Sequence, residues 1–218
     1  MKVNDKLPKI NPFLLGIIIF SLVVGMLVYS HLPDRVPTHW NIRGEVDGYS
    51  GRFFGAFGLP LITLGVYILM VFLPRIDPQR TNYSKFPRAY NVVMVGLVLF
   101  FLSLYTITLL AAFNYPIDVG RFVRIAIGIL FVAMGNYMTQ IRHNYFFGIK
   151  TPWTLASETV WRKTHRLGGI LYVGAGILIL SSILTSDKVG FVITIGSVIA
   201  VIIISTIYSY LIFKINEG

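Results

Sequence analysis

Six apolar runs, at 13–29, 53–73, 89–113, 122–141, 167–185 and 189–213, divide the sequence and leave little choice of solvent. Each is close to the roughly 20 residues that a helix rising about 1.5 Å per residue needs to cross about 30 Å of hydrocarbon. The first run follows Lys2, Lys6 and Lys9, as the core of a signal peptide would. It is longer than such a core, however, no small-x-small cleavage site follows it, and five more runs come after. It reads as an uncleaved helix. The expected fold is therefore an all-α integral membrane protein, a bundle of six transmembrane helices with two ordered interhelical loops, at 31–52 and 142–166.

Charge supports the same partition. Only 13% of the 218 residues are charged and 55% are hydrophobic, whereas a soluble domain averages about 25% charged. The formal net charge of +10 would suit a nucleic-acid partner, but the cations flank apolar runs instead of gathering on one soluble face, so no direct nucleic-acid binding is expected. With no cysteine in the chain, disulfides, thiolate-ligated zinc and a thiol nucleophile are excluded.

Basic residues near span ends are retained in the cytoplasm, which orients the chain. Lys2, Lys6 and Lys9, then Arg75, Arg80, Lys85 and Arg88, then Arg142, Lys150, Arg162, Lys163 and Arg166, then Lys214 fall on one side of the alternation. Arg35, Arg43, Arg52, Arg121, Arg124 and Lys188 fall on the other. Both termini are expected in the cytoplasm of a multi-pass cell-membrane protein, with the loop 31–52 outside and the loop 142–166 inside. The interiors of the spans hold no Asp, Glu, Lys or His, and Arg124, the deepest charge, is placed to snorkel outward. Carriers and pumps keep ionisable groups within the membrane, so a small-solute transporter is the weaker reading. Gly128 with Gly135, Gly168 with Gly169, and Gly174 with Gly176 read as sites of close helix packing.

Two polar segments remain to carry function. In the outer one, Pro33 and Pro37 fix the backbone, Gly44 and Gly48 permit positive angles, and Asp47-Gly48 is a turn signal. Trp40 and Tyr49 suit the headgroup level. His31, Asp34, His39, Glu45 and Asp47 are metal-type donors, but their spacing follows no metal motif and there is no His-Glu-x-x-His pattern. The alternative is that they bond the loop to itself and to Arg35, Arg43 and Arg52. A metal-dependent membrane enzyme is thus the runner-up reading, and no catalytic residue, metal ligand or cofactor is assigned. In the inner segment, Gly148 and Pro152 break helix, and Thr154 or Ser157 can cap a new one that runs into the fifth span. At helical spacing Trp161, His165, Gly168 and Tyr172 share one stripe, while Arg162, Lys163 and Arg166 fall away from it. His165 is placed either to titrate or to hydrogen-bond. The cations are placed to anchor on membrane lipid.

Both segments resemble the SdpI family, multi-pass immunity proteins that protect bacteria from a secreted, membrane-active killing peptide. Val36-Pro37-Thr38-His39-Trp40-Asn41 with Gly44, Asp47 and Gly48 resembles a small module of unknown function at the N-terminus of many members. Gly148-Ile149-Lys150-Thr151-Pro152-Trp153-Thr154-Leu155 with Ser157, Trp161, His165 and Gly168 resembles the family's main signature, with Lys150 where many members carry Arg. The resemblance implies an N-terminal two-helix module over 1–88 and a four-helix module over 89–218. It also implies a non-enzymatic immunity or receptor protein whose partners are a peptide toxin and a cytoplasmic repressor. The binding residues it points to are His39, Trp40, Asn41 and Asp47 outside, and Lys150, Thr151, Trp153, Thr154, Trp161 and His165 inside.

Overall fold

The computed structural model describes residues 7–217; Lys2 and Lys6, used above for orientation, lie outside the described residues. Six helices in it are long and apolar enough to span a membrane, at Pro12–His31, Phe54–Ile76, Pro87–Ala112, Val119–Met138, Glu158–Leu184 and Asp187–Asn216. A chain in hydrocarbon has to satisfy every backbone N–H and C=O internally, and a helix does so within one segment. The regular helical segments are α1 (Pro12–Val28), α2 (Leu59–Ile76), α3 (Pro87–Ala112), α4 (Val119–Met138), the short α5 (Pro152–Ala156), α6 (Glu158–Ser181) and α7 (Asp187–Glu217). Two strands, β1 (Val36–Trp40) and β2 (Val46–Ser50), pair antiparallel between α1 and α2.

Polar residues set the ends of these helices. The Asn11 side chain accepts the N–H groups of Phe13 and Leu14 and is followed by Pro12, which starts α1. Asp118 caps α4 and Ser157 caps α6 in the same way. Each supplies an acceptor to N–H groups that have no partner within the helix. Because six spans bring the chain back to its starting side, the first and last described residues lie on one face, the terminal face, and the β-hairpin on the other.

The tightest helix pair is α4 with α6. A Cβ on Gly135 would lie 2.8 Å from the Gly169 carbonyl oxygen, and one on Gly176 would lie 2.7 Å from that of Gly128. The two backbones therefore touch directly, as small residues permit in membranes. Gly174 takes no part, since a Cβ there would meet nothing within 4 Å. The main core gathers toward the terminal face, where Tyr83, Phe86, Tyr90, Met138, Ile141 and Trp161 are all buried. A smaller one of Leu32, Val36, Ala56 and Ala112 seats the hairpin.

The structure alters both polar segments. Within 142–166 the helix expected from Thr154 or Ser157 into the fifth span forms, with Ser157 as its cap and Glu158 as its first residue, and a short extra helix, α5, fills 152–156 ahead of it. Thr151 and Ser157 each terminate an orphaned helix start, so the chain refolds at once after Lys150. In the outer segment Asp47-Gly48 is not the turn but lies within β2. The reversal falls at 41–44, where Asn41 Oδ1 accepts the N–H of Arg43 at 2.8 Å and of Glu45 at 3.2 Å, and Gly44 takes φ +76°. An asparagine side chain that caps its own turn outcompetes a sequence-level turn signal further along the chain. Gly48 instead lets the two strands approach, since a Cβ there would lie 2.7 Å from that of His39 across the ladder.

Candidate functional site

On the terminal face the signature residues build one buried knot. Thr151 and Thr154 form a reciprocal cap, with Thr154 N–H donating to Thr151 Oγ1 at 3.1 Å and Thr151 N–H donating to Thr154 Oγ1 at 2.8 Å. The Thr151 hydroxyl also meets that of Ser209 on α7 at 2.9 Å, tying the cap to the last helix. Trp161 and His165, at 0% and 1% exposure, lie one helical turn apart with rings stacked at 4.1 Å. Trp161 Nε1–H donates to the Ile141 carbonyl at 3.0 Å. The His165 tautomer follows from its partners: Nε2 accepts the Ile149 N–H at 3.0 Å, so Nδ1 carries the proton and donates it to the Trp161 carbonyl at 2.9 Å. With both ring nitrogens engaged, His165 has no lone pair left for a ligand. Gly148, at φ +113°, lets the chain pass over this imidazole, since any Cβ would collide with Nε2.

Of the six binding residues expected on this face, Lys150 and Trp153 stay accessible. Lys150 is exposed, with Nζ donating to the Phe146 carbonyl at 3.1 Å. Trp153 is half-buried against Tyr210, ring centroids 5.1 Å apart. Arg162, Lys163 and Arg166 are exposed beside them. The expected division of α6 into a packed stripe and a charged face is thus present.

Sequence reasoning passed over the residue that joins this knot to the α2–α3 connection. Asp77 is 2% exposed, and its carboxylate accepts Gln79 N–H at 2.7 Å, the Tyr83 hydroxyl at 2.8 Å and Tyr145 N–H at 3.0 Å. Asn144, fully buried beside it, accepts Phe146 and Phe147 N–H groups and donates to the carbonyls of Arg142 and Phe147. Burial, and then the Asp77 carboxylate, push the Tyr83 hydroxyl well above the usual tyrosine range. The signal was Asp77 itself, a lone acid between Ile76 and Pro78 among cations.

On the hairpin face the candidate residues bond among themselves. His39 pairs with Asp47, Arg43 with Glu45 at 3.3 Å, and Arg52 with Asp34 at 3.0 Å, while Asn41 Nδ2 donates to Glu45 Oε2 at 2.9 Å. Arg35 lies over the Tyr49 ring at 4.9 Å. Among the described residues no three His, Asp or Glu side chains converge as metal ligands. Trp40 is half-buried, and with Thr38, His39 and Asn41 it roofs a cavity of about 400 Å³ that reaches down between α3, α4 and α7. Arg124 lines this cavity, and here the sequence expectation fails. It does not snorkel to the surface but is 5% exposed, held by Asp187 with Nη2 to Oδ1 at 2.9 Å. The counter-ion comes from the first residue of α7, outside the span interiors and therefore hidden from a reading of the apolar runs alone.

Two family models match the chain: a domain of unknown function, DUF1648, over residues 16–64, and the SdpI/YfhL protein family over residues 140–209. The first covers most of α1, the hairpin and the start of α2. The second runs from the approach to the signature knot to Ser209, the partner of Thr151. The chain is also 27% identical over 211 residues to the immunity protein SdpI of Bacillus subtilis (strain 168), covering 96% of this chain and 99% of that protein. No solved structure matches it. With a DUF1648 segment ahead of an SdpI/YfhL family segment, the chain is a multi-pass membrane protein that is similar along nearly its whole length to an immunity protein.

Proposed function

We propose that the protein confers immunity to a membrane-active killing peptide, acting without catalysis from the cell membrane, with the hairpin outside and both termini in the cytoplasm. The observation that carries this reading is the near full-length similarity to an immunity protein. The hairpin face adds to it, because its ionisable side chains are spent on one another and on the roof of a cavity. Such a surface suits reception better than bond-breaking. The chain divides, on this reading, into a two-helix module over 1–88 that receives the peptide and a four-helix module over 89–218 that responds. Arg75, Arg80, Lys85, Arg88 and the cations of α6 then face the cytoplasmic leaflet, where anionic lipid attracts them.

Signalling to a cytoplasmic repressor belongs, on the same reading, to the accessible part of the signature. Lys150 and Trp153 can meet a partner, whereas Thr151, Thr154, Trp161 and His165 hold the platform on which they stand. Expression of the full chain in a strain sensitive to secreted killing peptides tests the main proposal. Survival at peptide concentrations that kill the parent is expected, and unchanged killing across a panel of such peptides would overturn it.

A further inference from the structure

We propose that the cavity beneath the hairpin is a binding site for the free carboxyl end of an apolar peptide, with the carboxylate on Arg124 and the adjoining side chain against α3, α4 and α7. This deepens the peptide-immunity reading and rests on it for the class of ligand. The cavity, about 400 Å³, lies in the size range of small-ligand sites, which are mainly apolar with a few convergent polar groups. Leu104 from α3, Val123 and Ile127 from α4 and Phe191 from α7 supply the apolar walls. The hairpin supplies a polar rim, and Arg124 with Asp187 the charged end.

Arg124 is an unusual residue to bury there. It sits within two turns of the start of α4, beside the start of α7, and both helix ends carry partial positive charge that repels a cation. Its guanidinium has five N–H donors, of which Asp187 engages one at 2.9 Å and a second, through its carbonyl, at 3.5 Å. Nε is enclosed and has no partner. Gly190 packs flat against the group, leaving 2.8 Å between Nη1 and the site of a Cβ, so α7 is shaped to hold the guanidinium in place. The acids nearby do not neutralise the site further: Asp118 is engaged by Arg121 at 3.0 Å, and Asp187 has a side chain 38% exposed. His39 on the rim is paired with Asp47.

A planar, always-charged fork with unused donors, next to two helix N-termini, is suited to a second carboxylate. The apolar walls supply what a hydrophobic residue bearing that carboxylate needs. A two-chain anionic lipid fits less well, because the cavity is roofed by the hairpin and holds a single buried cation.

The full chain in phosphatidylcholine nanodiscs, titrated calorimetrically with an acetylated Leu-Leu-Phe tripeptide as free acid and as C-terminal amide, tests the site. The acid is expected to bind about tenfold or more tighter than the amide, the gain of a charge-assisted bond. Arg124→Gln is expected to bring the acid down to the amide's affinity. Val123→Phe fills the cavity with the ion pair intact, and is expected to weaken both by a similar factor. Equal binding of acid and amide to the native chain, acid preference that survives Arg124→Gln, or undiminished binding to Val123→Phe would each overturn the proposal. So would loss of acid binding when phosphatidylglycerol is added to the discs, which would make lipid the occupant. Should Arg124→Gln fail to fold, the acid-against-amide comparison on the native chain and the Val123→Phe arm together decide. A native chain that prefers the acid yet gives no protection would sink the immunity reading and leave the site standing; protection without that preference would do the reverse.

Discussion

Gly148 and Asp77 are two positions where the terminal face has little tolerance. A side chain on Gly148 would meet His165 and would also be strained at φ +113°. Gly148→Ala is expected to destabilise by about 1–3 kcal/mol, read as a lowered unfolding midpoint of the purified protein in detergent. Asp77→Asn keeps the shape but turns one acceptor into a donor facing N–H or O–H groups. A loss on the order of 2 kcal/mol is expected from chemical unfolding. Tyr83 gives the pH dependence. Its hydroxyl loses its proton less readily folded than unfolded, so its contribution is intact below the ordinary tyrosine pKa of about 10 and falls as pH climbs above it. Tyr83→Phe should therefore be less stable than the native chain at pH 8 but lose less between pH 8 and pH 11 in thermal melts. Asp77 was invisible to motif reasoning because its partners are a tyrosine six residues on and a main-chain amide 68 residues away. His165 was visible, but its tautomer needed Ile149 and Trp161 in place.

Among the elements, α4 and α6 show how far periodicity carries. The spans themselves were legible, because apolar length alone fixes a helix in lipid, and the packed and charged sides of α6 followed from spacing. The glycine pairs were legible only as a class. Gly128 meets Gly176 and Gly135 meets Gly169, a pairing between helices that no reading along one helix supplies. Gly176→Val is expected to cost about 1–3 kcal/mol through overpacking, while Gly174→Ala, facing open space, should leave the melting temperature unchanged or slightly raised. The hairpin was the least legible element. Its strands are short, and its turn depends on Asn41 bonding back to Arg43 and Glu45, which outweighed the Asp-Gly pair.

Across the whole molecule the charged connections separate to two faces, and this supports the proposed orientation. The natural absence of cysteine makes it directly testable. Single cysteines at Arg43, on the hairpin, and at Lys150, on the opposite face, should label with a membrane-impermeant maleimide from opposite sides of intact cells. Labelling of both from the same side would refute the six-span topology. The Asp77 junction has a further meaning at this scale. Since residue 145 contributes only its main-chain N–H, natural drift is free to change that tyrosine to anything but proline, while the aspartate facing it has no such liberty. Comparison of many relatives would thus tie the acid to position 83, whose side-chain hydroxyl donates to it, and not to position 145, so the long-range half of this seam would escape any search for correlated positions.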